Sequence, residues 1–160
     1  MAACGTFNGI SILYGGPGGV PRRRLDLPTG ADPRTAAIGF VNRDAHPDLV
    51  VANRSAGTVA VFLGHQDGSL ERQADVAVGG IPASVVLATL DDDNRSDLAV
   101  TDAGRYEVAL FLGDGRGAFD PGPQFGTGRR PRALLAADLD RDRDVDLVVC
   151  NQESNDVRYS

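Results

Sequence analysis

The sequence predicts an all-β protein built from stacked repeats, and three features lead to that prediction. Glycine and proline are frequent, with 20 Gly and 9 Pro among the 160 residues, which is too many for a helical protein of this size. No long stretch places apolar residues at the i, i+3, i+4 and i+7 spacing of an amphipathic helix. The third feature is an internal repeat that needs no gaps to align.

The repeat has a period of 49 residues, which is the separation from Gly30 to Gly79 and from Gly79 to Gly128. Other residues recur at the same spacing: Pro33, Pro82 and Pro131; Asp44, Asp93 and Asp142; Asp48, Asp97 and Asp146; Leu49, Leu98 and Leu147; Val51, Val100 and Val149; Gly15, Gly64 and Gly113. A period of about 20 to 50 residues indicates a unit that cannot bury its own faces and therefore stacks on its neighbours.

Each unit is predicted to hold four short strands. The first and second are expected at 132–137 and 146–150, and in the preceding unit the third and fourth are expected at 108–112 and around 119–125. The third strands are apolar at every position, which is typical of a strand covered on both faces. Sheets stacked face to face around an axis provide this cover, so we predict a β-propeller-type array of four-stranded antiparallel blades. A β-solenoid and an open β-sandwich are the alternatives.

We expect one array of about three blades over residues 1–160. Strands three and four of a partial blade occupy 1–30, full repeats occupy 31–79 and 80–128, and a second partial blade at 129–160 holds strands one and two and the start of strand three. Two or more chains with such ends could close a ring head to tail by sharing blades. A fragment of a longer repeat protein is the other interpretation.

The composition excludes some classes of partner. A net charge of -6 argues against nucleic acid and against an anionic membrane surface, since both attract basic patches. No segment is apolar enough for membrane insertion, and the N-terminus lacks the pattern of a signal peptide. The two cysteines, Cys4 and Cys150, are too few for a disulfide framework and are expected to be small buried residues.

The sequence does not predict an enzyme. His46 and His65 occupy different places in the repeat and have no recurrent partner that would suggest a triad or a general base. Arg129, Arg130 and Arg132 form a cluster with no counterpart in the other repeats. These arginines could contact an acidic ligand, although a solvated loop is the simpler interpretation.

Three segments resemble a known family. Residues 137–142 read Ala-Asp-Leu-Asp-Arg-Asp and run into Asp-Leu-Val-Val at 146–149, residues 112–119 read Leu-Gly-Asp-Gly-Arg-Gly-Ala-Phe, and residues 128–131 read Gly-Arg-Arg-Pro. They are similar to FG-GAP or VCBS repeats, and the resemblance covers essentially the whole chain. It implies an integrin-α-like propeller, usually seven-bladed, with calcium in the loops between the first two strands. It also implies an extracellular or cell-surface setting, often in adhesion or carbohydrate recognition.

The acidic loop of the last unit suits calcium in its own right. Five carboxylates stand at alternate positions: Asp138, Asp140, Asp142, Asp144 and Asp146. Calcium takes six to eight oxygen ligands, and a loop with Asp at positions 1, 3, 5 and 9 can wrap one ion with the carbonyl of position 7. The family pattern implies side-chain ligands at Asp138, Asp140, Asp142 and Asp146, with Asp144 supplying its carbonyl. Solvated acidic turns balanced by Arg141 and Arg143 are the alternative.

The other two loops match the pattern less well. The ligand positions of the middle loop hold Thr89, Asp91, Asp93 and Asp97, and those of the first loop hold Phe40, Asn42, Asp44 and Asp48. A hydroxyl thus replaces one carboxylate in the middle loop, and the first loop loses its first ligand. The family also expects Gly at position 6, where a positive φ is easiest, but this chain has Ala45, Asn94 and Arg143.

The sequence therefore predicts a non-catalytic, calcium-stabilised propeller module that recognises a protein or a carbohydrate. The alternative is a purely structural repeat segment of a larger secreted protein or enzyme. Aromatic residues make up only 6% of the chain and Trp is absent, so the stacking platforms that sugar sites often use are scarce.

Overall fold

The computed structural model describes residues 8–153 and 157–159, and in these the chain forms strands joined by turns, with one short 3₁₀ turn at Pro17–Gly19. The strands are β1 Gly9–Tyr14, β2 Arg23–Pro28, β3 Pro33–Gly39, β4 Asp48–Asn53, β5 Thr58–Gly64, β6 Leu70–Arg72, β7 Val76–Ala77, β8 Pro82–Ala88, β9 Asp97–Asp102, β10 Glu107–Gly113, β11 Phe119–Gly126, β12 Pro131–Ala137, β13 Asp146–Asn151 and β14 Val157–Tyr159. The all-β class is confirmed. No helix in the described part of the chain is long and apolar enough to cross a membrane.

The strands form antiparallel sheets in chain order. β1 pairs with β2, the next sheet runs β3-β4-β5-β6 with β7 also paired to β5, and the following sheets run β8-β9-β10-β11 and β12-β13-β14. The first two strands of three consecutive sheets pair in the same register, because Gly39 faces Asp48, Ala88 faces Asp97 and Ala137 faces Asp146. The sequence period is therefore also a structural period.

Two fourth strands depart from a regular ladder. In the second sheet the strand is divided, so that β6 pairs with the end of β5 near Gly64 and β7 with its start near Thr58. In the third sheet the register between β10 and β11 shifts between Ala109 and Phe111. Pro121 lies opposite this shift and has no N–H to donate to the ladder.

Each pair of neighbouring sheets encloses a core of its own. Val50, Val61 and Val100 are fully buried between the second and third sheets. Leu49 and Val51, which alternate with Val50 along β4, pack instead with Ile10 and Ile12 of the first sheet. Successive residues of a strand point to opposite faces, so a strand that lies between two sheets is apolar at every position. This agrees with the prediction that the third strands, which are apolar at every position, are covered on both faces.

The first strands of the last three sheets pack against one another. β8 contacts both β3 and β12, and β12 also contacts β9. The first strands thus lie together at one edge of the stack, as the innermost strands of propeller blades do. This arrangement confirms a propeller-type array of blades.

The expectation of a buried Cys150 is wrong, because its thiol side chain is exposed. The equivalent residue one repeat earlier, Thr101, is fully buried by the next sheet. Among the described residues no sheet follows β12-β13-β14 to cover Cys150 in the same way. Cys4 lies outside the described residues.

Candidate metal-binding loops

The three acidic loops follow β3, β8 and β12 and lead into β4, β9 and β13. Neighbouring loops touch, because the Ser96 hydroxyl donates a hydrogen bond of 2.7 Å to the Phe40 carbonyl. Asn42 also forms a β-bridge with Arg116, which lies in the turn between β10 and β11. The loops thus line one end of the blade stack.

The aspartate at position 9 connects each of the first two loops to the third strand of its own blade. One oxygen of Asp48 accepts backbone N–H bonds from Val41 at 2.6 Å and Asn42 at 3.2 Å, and the other accepts from Gly64 at 2.8 Å. Asp48 is only 1% exposed. Both of its oxygens are therefore engaged by the backbone whether or not a metal ion is present.

The same arrangement recurs one repeat later. The oxygens of the fully buried Asp97 accept backbone N–H bonds from Leu90 and Gly113, each at 2.8 Å. Gly64 and Gly113 permit this close approach, because an added Cβ would collide with the carbonyl oxygen of Pro47 or Ser96. Sequence analysis missed this anchoring role, although the recurrence of Asp48 with Gly64 and of Asp97 with Gly113 was a signal for it.

The third loop brings carboxylates together. Asp138, Asp140 and Asp146 each offer one oxygen, and these oxygens lie within 4.8 Å of one another. No other three His, Cys, Asp or Glu side chains among the described residues converge in this way. Asp146 also accepts a backbone N–H bond of 2.8 Å from Leu139, which fixes one end of the group.

Backbone N–H groups hold the rest of the third loop. Asp138 accepts from Arg141 at 2.7 Å and from Arg143 at 3.2 Å, and Asp140 accepts from Asp142 at 3.1 Å. The carboxylate of Asp142 accepts from the Asp144 N–H at 2.8 Å and does not join the converging group. Of the five aspartates in the loop, the structure therefore groups the carboxylates of three.

The turn inside the loops requires a positive φ in two of the three cases. At position 6, φ is 57° for Asn94 and 84° for Arg143, whereas Ala45 does not adopt a positive φ. A positive φ crowds the Cβ of any residue except Gly. The third loop therefore adopts its conformation at a steric cost, which falls on Arg143.

The electrostatics of the third loop favour a cation. The Asp142 N–H tends to lower the pKa of Asp140, but desolvation and the charges of Asp142 and Asp146 outweigh it, and the pKa is raised. Nearby carboxylates that disfavour ionisation are stabilised by a bound cation, which replaces repulsion with attraction. The oxygen-only donors of this group fit a hard ion such as calcium.

The middle loop also contains a carboxyl group with a raised pKa. The Asp93 N–H tends to lower the pKa of Asp91, but desolvation, the Asp93 carboxyl and the charge of Asp97 raise it overall. Asp93 itself lies 3.4 Å from the guanidinium of Arg95, and Thr89 is exposed. The middle loop thus satisfies one of its carboxylates internally.

The first loop is closed by its own side chains. The Asn42 amide donates a hydrogen bond of 2.8 Å to Asp44, and the other Asp44 oxygen accepts the His46 N–H at 2.8 Å. The His46 N–H is the main cause of a lowered pKa at Asp44. Phe40 at its first ligand position is 54% exposed and offers no oxygen from its side chain.

Stacked antiparallel blades with acidic loops between their first two strands define a class of all-β repeat proteins. Residues 89–149 match the FG-GAP-like repeat family. This match confirms the resemblance to FG-GAP repeats found in the sequence.

A solved structure has a similar fold. The chain is similar to a functionally unknown protein from Desulfotomaculum acetoxidans DSM 771, with 19% sequence identity and a TM-score of 0.58 over 85% of this chain. The match spans 43% of that protein's chain, less than half of its length. No curated protein matches this chain at a significant level.

Proposed function

We propose that this chain is a non-catalytic, calcium-stabilised β-propeller module for recognition of a protein or carbohydrate, acting in adhesion outside the cell or at its surface. The observation that carries the calcium part is the convergence of the Asp138, Asp140 and Asp146 carboxylates in one loop. Their oxygens match the ligand preference of calcium, and the raised pKa of Asp140 reflects charge that a cation would neutralise.

Calcium suits the third loop better than magnesium does. Magnesium requires near-ideal octahedral geometry and keeps several of its waters, whereas calcium accepts irregular sets of six to eight oxygens. Asp138, Asp140 and Asp146 would hold the ion, and Asp142 and the Asp144 carbonyl belong to the same loop. Bound to the folded loop, calcium would supply stability rather than chemistry.

A second candidate function is a purely structural repeat segment of a larger secreted protein or enzyme. The hydrogen bonds of Asp48 and Asp97 favour it, because each fixes its own loop to the third strand of the same blade without a metal ion. The two candidates differ in whether the assembled surface binds a ligand. Binding on a glycan or protein array would support recognition, and a blank array would support the structural candidate.

A second copy of this chain is the partner that we propose for the open ends of the stack. Ile38 on β3 is 74% exposed, whereas its equivalent Leu87 packs into the core toward the preceding sheet. Leu135 on β12 is 63% exposed, whereas its equivalent Val86 packs toward the following sheet. Inside the stack, a blade of this same repeat covers these faces, so a blade from another copy fits them.

Thermal unfolding tests the calcium part of the proposal. In millimolar calcium the unfolding midpoint of the wild type should rise above its value in chelator, since an ion at a hundred times its Kd adds about 2.7 kcal/mol. Asp140→Asn should abolish the rise. Asp92→Asn is the matched control, because it makes the same charge change at an exposed residue of the middle loop and should keep the rise. If the unfolding midpoint of the wild type is the same in calcium and in chelator, this part of the proposal is overturned.

A further inference from the structure

A cavity of about 290 Å³ lies at the end of the stack opposite the acidic loops. Arg54 and Tyr106, from the turns after the second strands β4 and β9, meet there with Ile81, Arg130 and Arg132 from segments at the starts of β8 and β12. The acidic loops follow the first strands, so strand direction places these turns at the other end. The cavity is thus separate from the candidate metal loops.

The cavity is positively charged in an acidic protein. Three of its lining residues are arginines and none is acidic, although the chain carries a net charge of -6. Arg130 pairs with Glu153 at 2.7 Å, and Arg54 lies 3.5 Å from Asp32. Arg132 donates only to the neutral side chain of Gln152, at 2.8 Å, and has no carboxylate partner among the described residues. Its guanidinium is available to an anion.

Tyr106 is placed in this cavity against the preference of the backbone. Its φ is 59°, and its N–H donates to the Asp102 carbonyl at 2.9 Å. One repeat earlier the same turn holds Gly57, with a φ of 68° and an N–H bond of 3.0 Å to the Asn53 carbonyl. A bulky residue at positive φ costs stability where Gly would not. Residues kept at such a cost are often functional.

The side chain of Tyr106 contributes little to the packed interior. It is 43% exposed and belongs to none of the hydrophobic clusters found in the described residues. Ile81, another lining residue of the cavity, is 39% exposed. Together they give the cavity an apolar, partly aromatic wall beside the guanidinium groups.

We propose that this cavity binds an acidic sugar. Arg132 would donate hydrogen bonds to the carboxylate of the sugar, and Tyr106 would pack against its ring. A guanidinium matches a carboxylate through two parallel N–H bonds, and an aromatic ring with a polar tip suits the mixed surface of a pyranose. This inference rests on the proposed recognition function and gives it a site and a ligand class.

Titration of the ¹⁵N-labelled chain with methyl β-D-glucuronide, followed by NMR, tests the site. The glucuronide should shift the amide signals of residues 103–106, Arg129, Arg130 and Arg132, and methyl β-D-glucoside, the uncharged sugar of the same ring, should not. Arg132→Gln should weaken binding about tenfold, as loss of a charge-assisted hydrogen bond does. Arg24→Gln, which changes an exposed arginine of the first sheet, should leave binding unchanged.

Tyr106→Gly separates a ligand role from a structural role. It should weaken glucuronide binding and raise the unfolding midpoint, because it restores the residue that Gly57 provides in the equivalent turn. Equal shifts with glucuronide and glucoside, shifts elsewhere on the chain, or binding that survives both variants would overturn the inference. An equal response to acetate would also overturn it, since that would show a carboxylate site with no recognition of the sugar.

The two proposals can fail independently. Glucuronide binding without a calcium-dependent midpoint would leave this site standing and remove the calcium part of the proposed function. A calcium-dependent midpoint without glucuronide binding would remove this site alone.

Discussion

A carboxylate oxygen of Asp97 lies 2.8 Å from the backbone nitrogen of Gly113. This hydrogen bond joins the start of the second strand of a blade to the end of its third, across 16 residues of sequence. The other oxygen of Asp97 holds the Leu90 N–H at 2.8 Å. A single buried side chain thus fixes the acidic loop and the neighbouring strand end to each other.

Asp97→Ala should therefore destabilise the chain whether or not calcium is present. It leaves the buried Gly113 N–H and the half-buried Leu90 N–H without their partner, and a buried N–H without a partner costs about 1 to 3 kcal/mol. Urea denaturation in chelator measures the change in free energy of unfolding. Asp92→Ala, at an exposed residue of the same loop, is the control and should change stability by less than about 0.5 kcal/mol. Equal stability of the two variants would contradict the anchoring role.

Arg143→Gly should stabilise the metal-free chain by about 1 kcal/mol, because a left-handed conformation at φ 84° strains any residue with a Cβ. The hydrogen bond from its backbone N–H to Asp138 is kept. Chemical denaturation in chelator measures the gain. Arg143→Ala separates relief of strain from loss of the guanidinium, since alanine retains the Cβ and should give no such gain. A similar gain in both variants would assign the effect to charge instead.

Calcium affinity should fall as the pH falls toward the raised pKa of Asp140. In the metal-free chain the folded state holds this proton above the ordinary carboxyl pKa of 3.8, so in that window folding favours the protonated form. The contribution of Asp140 to stability therefore decreases as the pH rises through the window. A proton and calcium compete for the same carboxylate, so calorimetric titrations at pH 7 and at about the ordinary carboxyl pKa of 3.8 should show weaker binding at the lower pH. Equal affinities at the two pH values would argue against Asp140 as a ligand.

The exposed end faces should mediate association of chains. Light scattering of the wild type should give a mass of two or more chains, and Ile38→Asp or Leu135→Asp should reduce it to one, because each places a charge on a face that a blade would cover. Phe125→Asp changes an apolar residue that is 46% exposed on β11, a fourth strand, and should leave the mass unchanged. A monomeric wild type would rule out head-to-tail closure.

The strands could be predicted from the sequence because their pattern is local and repeated. The third strand expected at 108–112 is observed as Glu107–Gly113, and the second strand expected at 146–150 is observed as Asp146–Asn151. Apolar runs between glycine-rich turns are enough to locate such strands. The division of a fourth strand into β6 and β7 has no comparable local signal, since it depends on bonds such as Gln73 N–H to the Val61 carbonyl.

The candidate sites were predictable only in part. Alternation places Asp138, Asp140 and Asp142 in one loop, but the distribution of N–H donors decides that the Asp142 carboxylate faces Asp144 rather than the converging group. Burial of Cys150 was inferred from the apolar residues beside it in the sequence. The exposure of its side chain depends instead on whether another sheet packs against that face of β13. Tyr106 did have a signal, because alignment of the repeats places it opposite Gly57.

Val50 and Val51 are adjacent in sequence, yet they lie in different cores of the stack. Each interface between two blades therefore has its own core. Neighbouring interfaces are connected only through the strands of the blade that lies between them. A chain pulled from its two ends should separate at one interface at a time and extend in several small steps. A protein with a single core would instead give way in one event.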